Sequence, residues 1–238
     1  MSGSKSSRRV AVYVDGFNLY YGALKDSPYK WLNLDALSQA VIPGHPAPVL
    51  IRYFTARVHS PPWDPQKNLR QNIYLRALNT LPNLKVHYGK FMVREASRPL
   101  SRGLVRACSV CGTEVTIEKG HRVSVVNAEE KGSDVNLATY LLLDAMKDVY
   151  DEAWVISNDS DLAEPIRVVR EELGKSTGII LYGKDLPAQK SKKQHISWHL
   201  VRAAGGRRIF IHKRHLKKAL FPDELEDEHG RFHKPDLW

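Results

Sequence analysis

Four carboxylates stand where a metal-dependent phosphodiesterase would need them: Asp15 in VAVYVDGFNLYYG, Asp134 in EEKGSDVNLATYLL, and Asp159 with Asp161 in AWVISNDSDLAEP. Each follows or opens a predicted core element. Carboxylates gathered at one sheet edge repel one another and raise each other's pKa. A divalent cation relieves that repulsion, and an all-oxygen donor set selects Mg2+ or Mn2+. In two-metal hydrolysis such carboxylates hold the cations about 4 Å apart, one activating water and the other stabilising the leaving oxygen. Asn18, Ser157, Asn158 and Ser160 are placed to orient waters or ligands. Taken singly, DG and NDSD are also ordinary turn and helix-cap chemistry. Taken together, each beside a core element, they point to one polar pocket.

The elements that would carry this pocket alternate. Residues 10–14 form a short apolar run that reads as a buried strand, closed by Asp15-Gly16. Further strands are expected at 49–58, 84–91, 153–157 and 178–183. Helices are expected from Phe17 to Leu24, at 32–41, at 64–79, at 133–148 and from Leu162 to Leu173. The helix at 64–79 opens with an acidic cap and Pro65 in its first turn, and the one at 133–148 is capped by Ser133 or Asp134. Strands alternating with helices over short connections imply an α/β fold, a mostly parallel central sheet flanked by helices. In such sheets the chemistry lies at the carboxyl ends of the strands, where Asp15 and the Asp159/Asp161 pair fall. Asp134 opens a helix, whose N-terminal dipole tolerates a carboxylate.

Residues 92–132 depart from this alternation. Arg94, Arg98, Arg102 and Arg106 precede CSVC and the alternating stretch TEVTIEKGHRVSVVN. The expectation is a basic loop and then a small β-hairpin turned at Lys119-Gly120, an insertion in a domain spanning 10–189. Cys108 and Cys111 make half a zinc site. Four ligands are needed for a closed one, and the chain has only these 2 cysteines. His121 and His87 are the completions within the chain, and a site shared between two copies of a homodimer is another. Free reduced thiols are the plainer expectation, since no thioredoxin-like context surrounds the pair.

The balance of charge speaks to partners. Net charge is +10 over 238 residues, and between Lys190 and Leu220 there are ten Lys or Arg and no Asp or Glu. A polyanion suits such a stripe, and nucleic acid is the commonest. Lys192, Lys193, Arg207, Arg208, Lys213 and Arg214, with Arg94, Arg98 and Arg102, are the expected backbone contacts. A solvated helix face would look similar. Trp198, Tyr20, Tyr21 and Tyr53 are candidate stacking surfaces for bases, although most aromatics serve the core. The longest apolar runs, VAVYV and YLLL, fall far short of the ~20 residues of a membrane helix. Residues 1–9 read as a disordered basic tail with no apolar segment behind it, and two CxxC cysteines fit a reducing cytoplasm. Residues 190–238 read as a basic, helical C-terminal region packed on the domain.

YVDGFNLYYG, KGSDVNLATYLLLDA and VISNDSDLAEPIRVVREELG together resemble the NYN domain, a branch of the PIN-like nucleases. The resemblance covers nearly the whole chain, including ALFPDEL and the closing PDLW. It implies a PIN-like α/β fold and metal-dependent cleavage of RNA. The matching acidic positions are Asp15, Asp134, Asp159 and Asp161, with Asn18 as polar companion of the first motif. Many relatives carry SGDSD where this chain has SNDSD, so Asn158 replaces a glycine, and Asn tolerates positive φ better than other side chains. The alternative from a different class is a non-catalytic RNA-binding module with a vestigial acidic pocket. GKST at 174–177 is no phosphate loop: Val169 stands where the first glycine belongs, and the segment follows a helix. A phosphatase of the haloacid dehalogenase type needs DxD after its first strand, and here Asp15-Gly16-Phe17 breaks that pattern.

Overall fold

VAVYVD has no polar residue before its last position, so as a strand it must be covered on both faces. In a computed structural model, which describes residues 8–42, 44, 47–107, 110–186 and 196–238, it is β1 (Val10–Asp15), buried throughout. Chain order continues with α1 (Gly16–Leu19), which runs on as a π-helical turn at Tyr20–Leu24, α2 (Leu34–Val41), β2 (Leu50–Thr55), α3 (Lys67–Asn79) and β3 (Leu84–Tyr88). β4 (Lys90–Pro99), β5 (Leu104–Ala107), β6 (Glu114–Ile117) and β7 (Arg122–Lys131) follow. Then come α4 (Ser133–Met146), β8 (Glu152–Ile156), a 3-10 turn at Ser160–Leu162, α5 (Ala163–Glu171) and β9 (Ser176–Tyr182). The chain closes with α6 (Trp198–Ala203), β10 (Arg208–Ile211), α7 (Lys213–Lys218) and the hairpin β11 (Glu224–Asp227)–β12 (Gly230–His233).

Six strands form one sheet in the order β10-β9-β8-β1-β2-β3, and every neighbouring pair is parallel. Side chains alternate across β1, and the two faces fill differently. Val10, Val12 and Val14 join Leu19, Leu34, Leu37, Leu75 and Leu78 beneath α1, α2 and α3. Ala11 and Tyr13 face Leu137 and Leu141 of α4, Ile166 and Val169 of α5 and Leu200 of α6. This two-sided burial explains why the strands read as apolar runs rather than alternating ones. Among the described residues, no helix is long and apolar enough to cross a membrane.

The C-terminal region differs from the helical extension expected of it. Between two short helices, β10 pairs with β9 (Arg208 opposite Ile179, Ile211 opposite Tyr182), so this segment completes the sheet. The glycines and arginines around RIFI hide its short apolar pattern. The closing residues pack on Trp31, whose indole Nε1 donates to Pro222 O at 2.7 Å and whose ring meets Phe221, Phe232 and Trp238. At the other end, Arg9 belongs to the folded part: its guanidinium bridges Asp151 and Asp148, while Arg8 reaches the buried Glu152. Pairing with Arg9 pulls the Asp151 carboxyl down to about 2.

Residues 91–131 form a second compact unit of their own. β4 pairs with β7, and β5 pairs antiparallel with β6 from Leu104↔Ile117 to Ala107↔Glu114. The expected basic loop therefore contains two strands, and the inner hairpin is the β5–β6 pair rather than one turned at Lys119-Gly120. Gly120, at φ +86°, instead makes the turn that feeds β6 into β7. Alternating Val and Arg residues carry the strand pattern through a segment whose exposure hides it.

Beneath the main sheet lies a polar network. Arg52 donates to both carboxylate oxygens of Asp144 at 2.6 and 2.7 Å, and the Tyr13 hydroxyl donates to the same group at 2.6 Å. Arg52 Nη1 lies 2.9 Å from His87 Nε2. A guanidinium only donates, so His87 accepts there in its neutral form. Burial and the Arg52 charge push its pKa down to about 4. Asp144→Ala leaves a buried arginine unpaired, and denaturant unfolding should show a loss of about 3–5 kcal/mol. Because the folded pKa of His87 lies below its unfolded value, stability is full above pH ~6.5 and falls as pH drops toward 4. His87→Gln should flatten the fall in unfolding midpoint across that window, as read by circular dichroism.

Candidate functional site

The parallel register brings the carboxyl ends of β1, β8 and β9 to one edge, and each end delivers a polar group. Asp15 is the last residue of β1, opposite Phe54 of β2, and only 5% exposed. Gly16 follows because nothing larger fits: a Cβ there would lie 2.6 Å from the Tyr53 ring and 2.7 Å from Phe54 O. α1 can thus begin at once, with Asp15 as its N-cap. Asp15 Oδ1 accepts the Asn18 amide at 2.9 Å, and Oδ2 accepts the Ser157 hydroxyl at 2.9 Å. Ser157, just past β8, in turn accepts the Asp159 amide at 3.1 Å. Asp159 caps the following 3-10 turn by accepting the Asp161 amide at 3.1 Å.

Asn18 ties the edge together. Its Oδ1 accepts the Asn158 amide at 3.0 Å and the Tyr182 hydroxyl at 2.9 Å. One carboxamide oxygen therefore joins α1 to the loop after β8 and to the end of β9. Both lone pairs of that oxygen are engaged, so Asn18 positions the loop. Asn158 is tethered too, its Oδ1 accepting the Ser197 amide at 2.9 Å. An asparagine where a glycine would suffice thus contributes a hydrogen bond to the start of α6. Tyr182 had no signal in the sequence beyond ending an apolar strand.

Burial first, and then the charges of Asp134 and Asp159, push the Asp15 carboxyl up to about 6, against the pull of its two hydrogen bonds. Asp134 sits half-buried in the first turn of α4. Gly132, at φ +93°, lets β7 pass into that helix. Asp159 is half-buried and Asp161 exposed. Sequence placed all four carboxylates at this edge; Asp15, Asp134 and Asp159 are the three coupled through Asp15. Among the described residues, no group of three or more His, Cys, Asp or Glu is close enough to hold a metal ion unaided. The donors are all oxygen, and Asp15 carries a penalty that a cation would remove. That fits a hard divalent ion retaining several waters, the habit of Mg2+.

Among the described residues, the expected zinc ligands do not come together. Cys108 lies outside the described residues. Cys111 is exposed, its thiol 3.3 Å from Thr113 Oγ1. The β5–β6 register puts Cys111 beyond the hairpin tip and His121 at its base, where His121 O accepts the Leu100 amide. His87 is occupied by Arg52 and stacks on Phe54.

The basic residues divide by what they touch. Arg207 is structural: it donates to the buried Glu152 at 2.7 Å and lies over the Trp154 ring. Arg208 is exposed and stacks on Trp198, itself 58% exposed. α7 presents Lys213, Arg214, Lys217 and Lys218 to solvent, a denser cationic face than sequence suggested. In the hairpin unit, Arg94, Arg98 and Lys131 converge on the single carboxylate of Glu129, and Arg102 is exposed. Lys192 and Lys193 lie outside the described residues. Of the proposed stacking aromatics, Tyr21 and Trp198 are exposed and Tyr53 is buried.

Known proteins bear on this arrangement. The model of the NYN domain family matches residues 9–209. The curated protein 6-hydroxy-3-succinoylpyridine 3-monooxygenase HspA of Pseudomonas putida is 25% identical over 250 residues, covering 97% of this chain and 75% of that protein. The crystal structure of a protein of unknown function from Vibrio parahaemolyticus matches with a TM-score of 0.52 at 16% identity, over 92% of this chain and 99% of that one. At that identity the likeness shows the fold alone.

The clamp can be tested apart from any activity. Asn18→Ala removes two hydrogen bonds at a largely buried edge and should lower unfolding stability by about 1–3 kcal/mol. Tyr182→Phe removes only one of them and should cost about 1 kcal/mol, measured by the same denaturant titration.

Proposed function

The chain belongs to the NYN domain family, and on that premise we propose that it is a metal-dependent endoribonuclease hydrolysing RNA phosphodiester bonds. The observation that carries this reading is the Asp15 carboxyl, buried at the carboxyl edge of a parallel sheet and linked through Ser157 to the loop that bears Asp159; burial and the charges of Asp134 and Asp159 push it up to about 6. Asp15 would anchor Mg2+ or Mn2+ in a largely hydrated state, with Asp134, Asp159 and the exposed Asp161 reaching the ion through its waters. Such a cation supplies activation of water and stabilisation of the departing oxygen. The chain's own residues do the rest. Ser157 and the Asn18 amide fix Asp15 in one orientation, Asn18 locks the loop carrying Asp159, and the α7 cations grip phosphates. Arg94, Arg98 and Arg102 offer further phosphate contacts on their own unit. Cleavage is hydrolytic, with no covalent enzyme intermediate. Contacts of this kind favour RNA broadly and weaken with salt.

A second reading comes from the Pseudomonas putida relative, which is named as a monooxygenase of 6-hydroxy-3-succinoylpyridine. The match over 97% of this chain favours it. Under that reading the same fold serves a small aromatic acid instead of RNA.

Incubation of mixed single-stranded and structured RNA with Mn2+, Mg2+ or EDTA separates these readings. Cleavage is expected in metal and absent in EDTA. Asp15→Asn and Asp159→Asn should each lower the rate at least about a hundredfold, beyond what outer-sphere partners usually cost. Cleavage surviving both substitutions, or no cleavage in either metal, overturns the nuclease reading. Converting Lys213, Arg214, Lys217 and Lys218 to Gln should weaken RNA binding and lower its logarithmic salt slope by roughly 0.7 per lost phosphate contact.

A further inference from the structure

The main unit contains a cavity of about 320 Å³ that the acidic edge does not use. It lies between α1 with its π-helical turn, the end of β2, the start of α3 and the closing residues. Phe17, Tyr20, Tyr21, Tyr53, Tyr74 and Trp238 supply aromatic walls. Four cations, Lys25, Lys30, Lys67 and Arg70, line it against two acids, Asp26 and Asp64. Arg70 is bound to both oxygens of Asp64 at 2.7 and 2.6 Å, which accounts for one cation and one acid. The Lys30 ammonium donates to Ser27 O at 3.0 Å, and burial pushes its pKa down. A desolvated ammonium in an aromatic cavity gains most from an anion.

This combination defines a ligand class. Aromatic walls favour a planar ring, through stacking and edge contacts, and the cationic excess calls for a carboxylate or phosphate attached to it. The volume lies at the small end of ligand sites, which suits a single ring system and its anionic group. We propose that this cavity binds a planar aromatic ring bearing an anionic group, recognised by the tyrosines and by Lys30 and Lys67. Two sources carry that chemistry: a nucleotide, or a free aromatic carboxylate. Gly16 and Phe17, which line the cavity, follow Asp15 directly, so the cavity begins one residue from the acidic edge. The proposal stands apart from cleavage and is tested without it.

Isothermal titration of the full chain in EDTA, where no metal-dependent turnover intervenes, uses adenosine 5'-monophosphate, uridine 5'-monophosphate and 6-hydroxynicotinate as probes. Saturable binding of at least one is expected. Lys30→Gln with Lys67→Gln should weaken it about tenfold or more. Lys147→Gln with Lys184→Gln, the same charge change at exposed positions outside the cavity, should leave it unchanged. Binding of nucleotides alone assigns the site to RNA, and binding of the carboxylate alone assigns it to a free aromatic acid. No saturable binding of any probe overturns the proposal. So does an equal loss in both double variants, which would mark a general charge effect. Circular dichroism of each variant confirms the fold, and a failed cleavage assay leaves these outcomes readable.

Discussion

A carboxylate at the end of a strand that has no exposed face is the constraint on which the arrangement depends. β1 is covered on both sides, so Asp15 meets water only at the sheet edge, and burial works against its charge. Two hydrogen bonds, from the Asn18 amide and the Ser157 hydroxyl, offset part of that penalty. Both donors need exact neighbours. Gly16 must be a glycine for α1 to start where it does, and β8 must lie beside β1 in parallel for Ser157 to arrive. The candidate site is thus a consequence of how the sheet is assembled.

The same edge shows how a polar loop is made rigid in a sheet of this type. Backbone groups past a strand end have lost their ladder partners and must be satisfied otherwise. Here the side chains of Asn18, Ser157, Asn158 and Asp159 take those amides one after another. The loop between β8 and α5 therefore carries its acidic residues on a chain of hydrogen bonds. Rigidity of that kind suits groups that must meet a charged partner in a set geometry.

Charge is arranged by the same logic. Acidic groups collect at the carboxyl edge, while cations stand on α7 and on the hairpin unit. Some of the basic residues that give the chain its net charge are committed inside the fold, Arg52 to Asp144 and Arg207 to Glu152. The aromatic residues divide similarly, between the packing around Trp31 and the walls of the cavity beside α1.

Most of the parallel sheet could be read from the chain, because strands buried on both faces announce themselves as short apolar runs closed by turn residues. Asp15 stood out for a related reason, as a carboxylate closing such a run, whereas Asp134 opens a helix and Asp159 and Asp161 sit in a capped turn that favours such residues anyway. β10 was hidden, since RIFI is flanked by arginines and glycines and only its pairing with β9 makes it a strand. The strands of residues 91–131 were hidden by exposure, which removes the apolar signal a strand normally carries. Pairwise meetings were beyond sequence altogether. That Asn18 meets Asn158, 140 positions on, and Tyr182, 164 positions on, or that Arg207 serves Glu152, depends on register and strand order. Composition and spacing determined which residue types were available and at which element ends; only the packed sheet decided which of them share a neighbour, because proximity across long separations is set by tertiary packing.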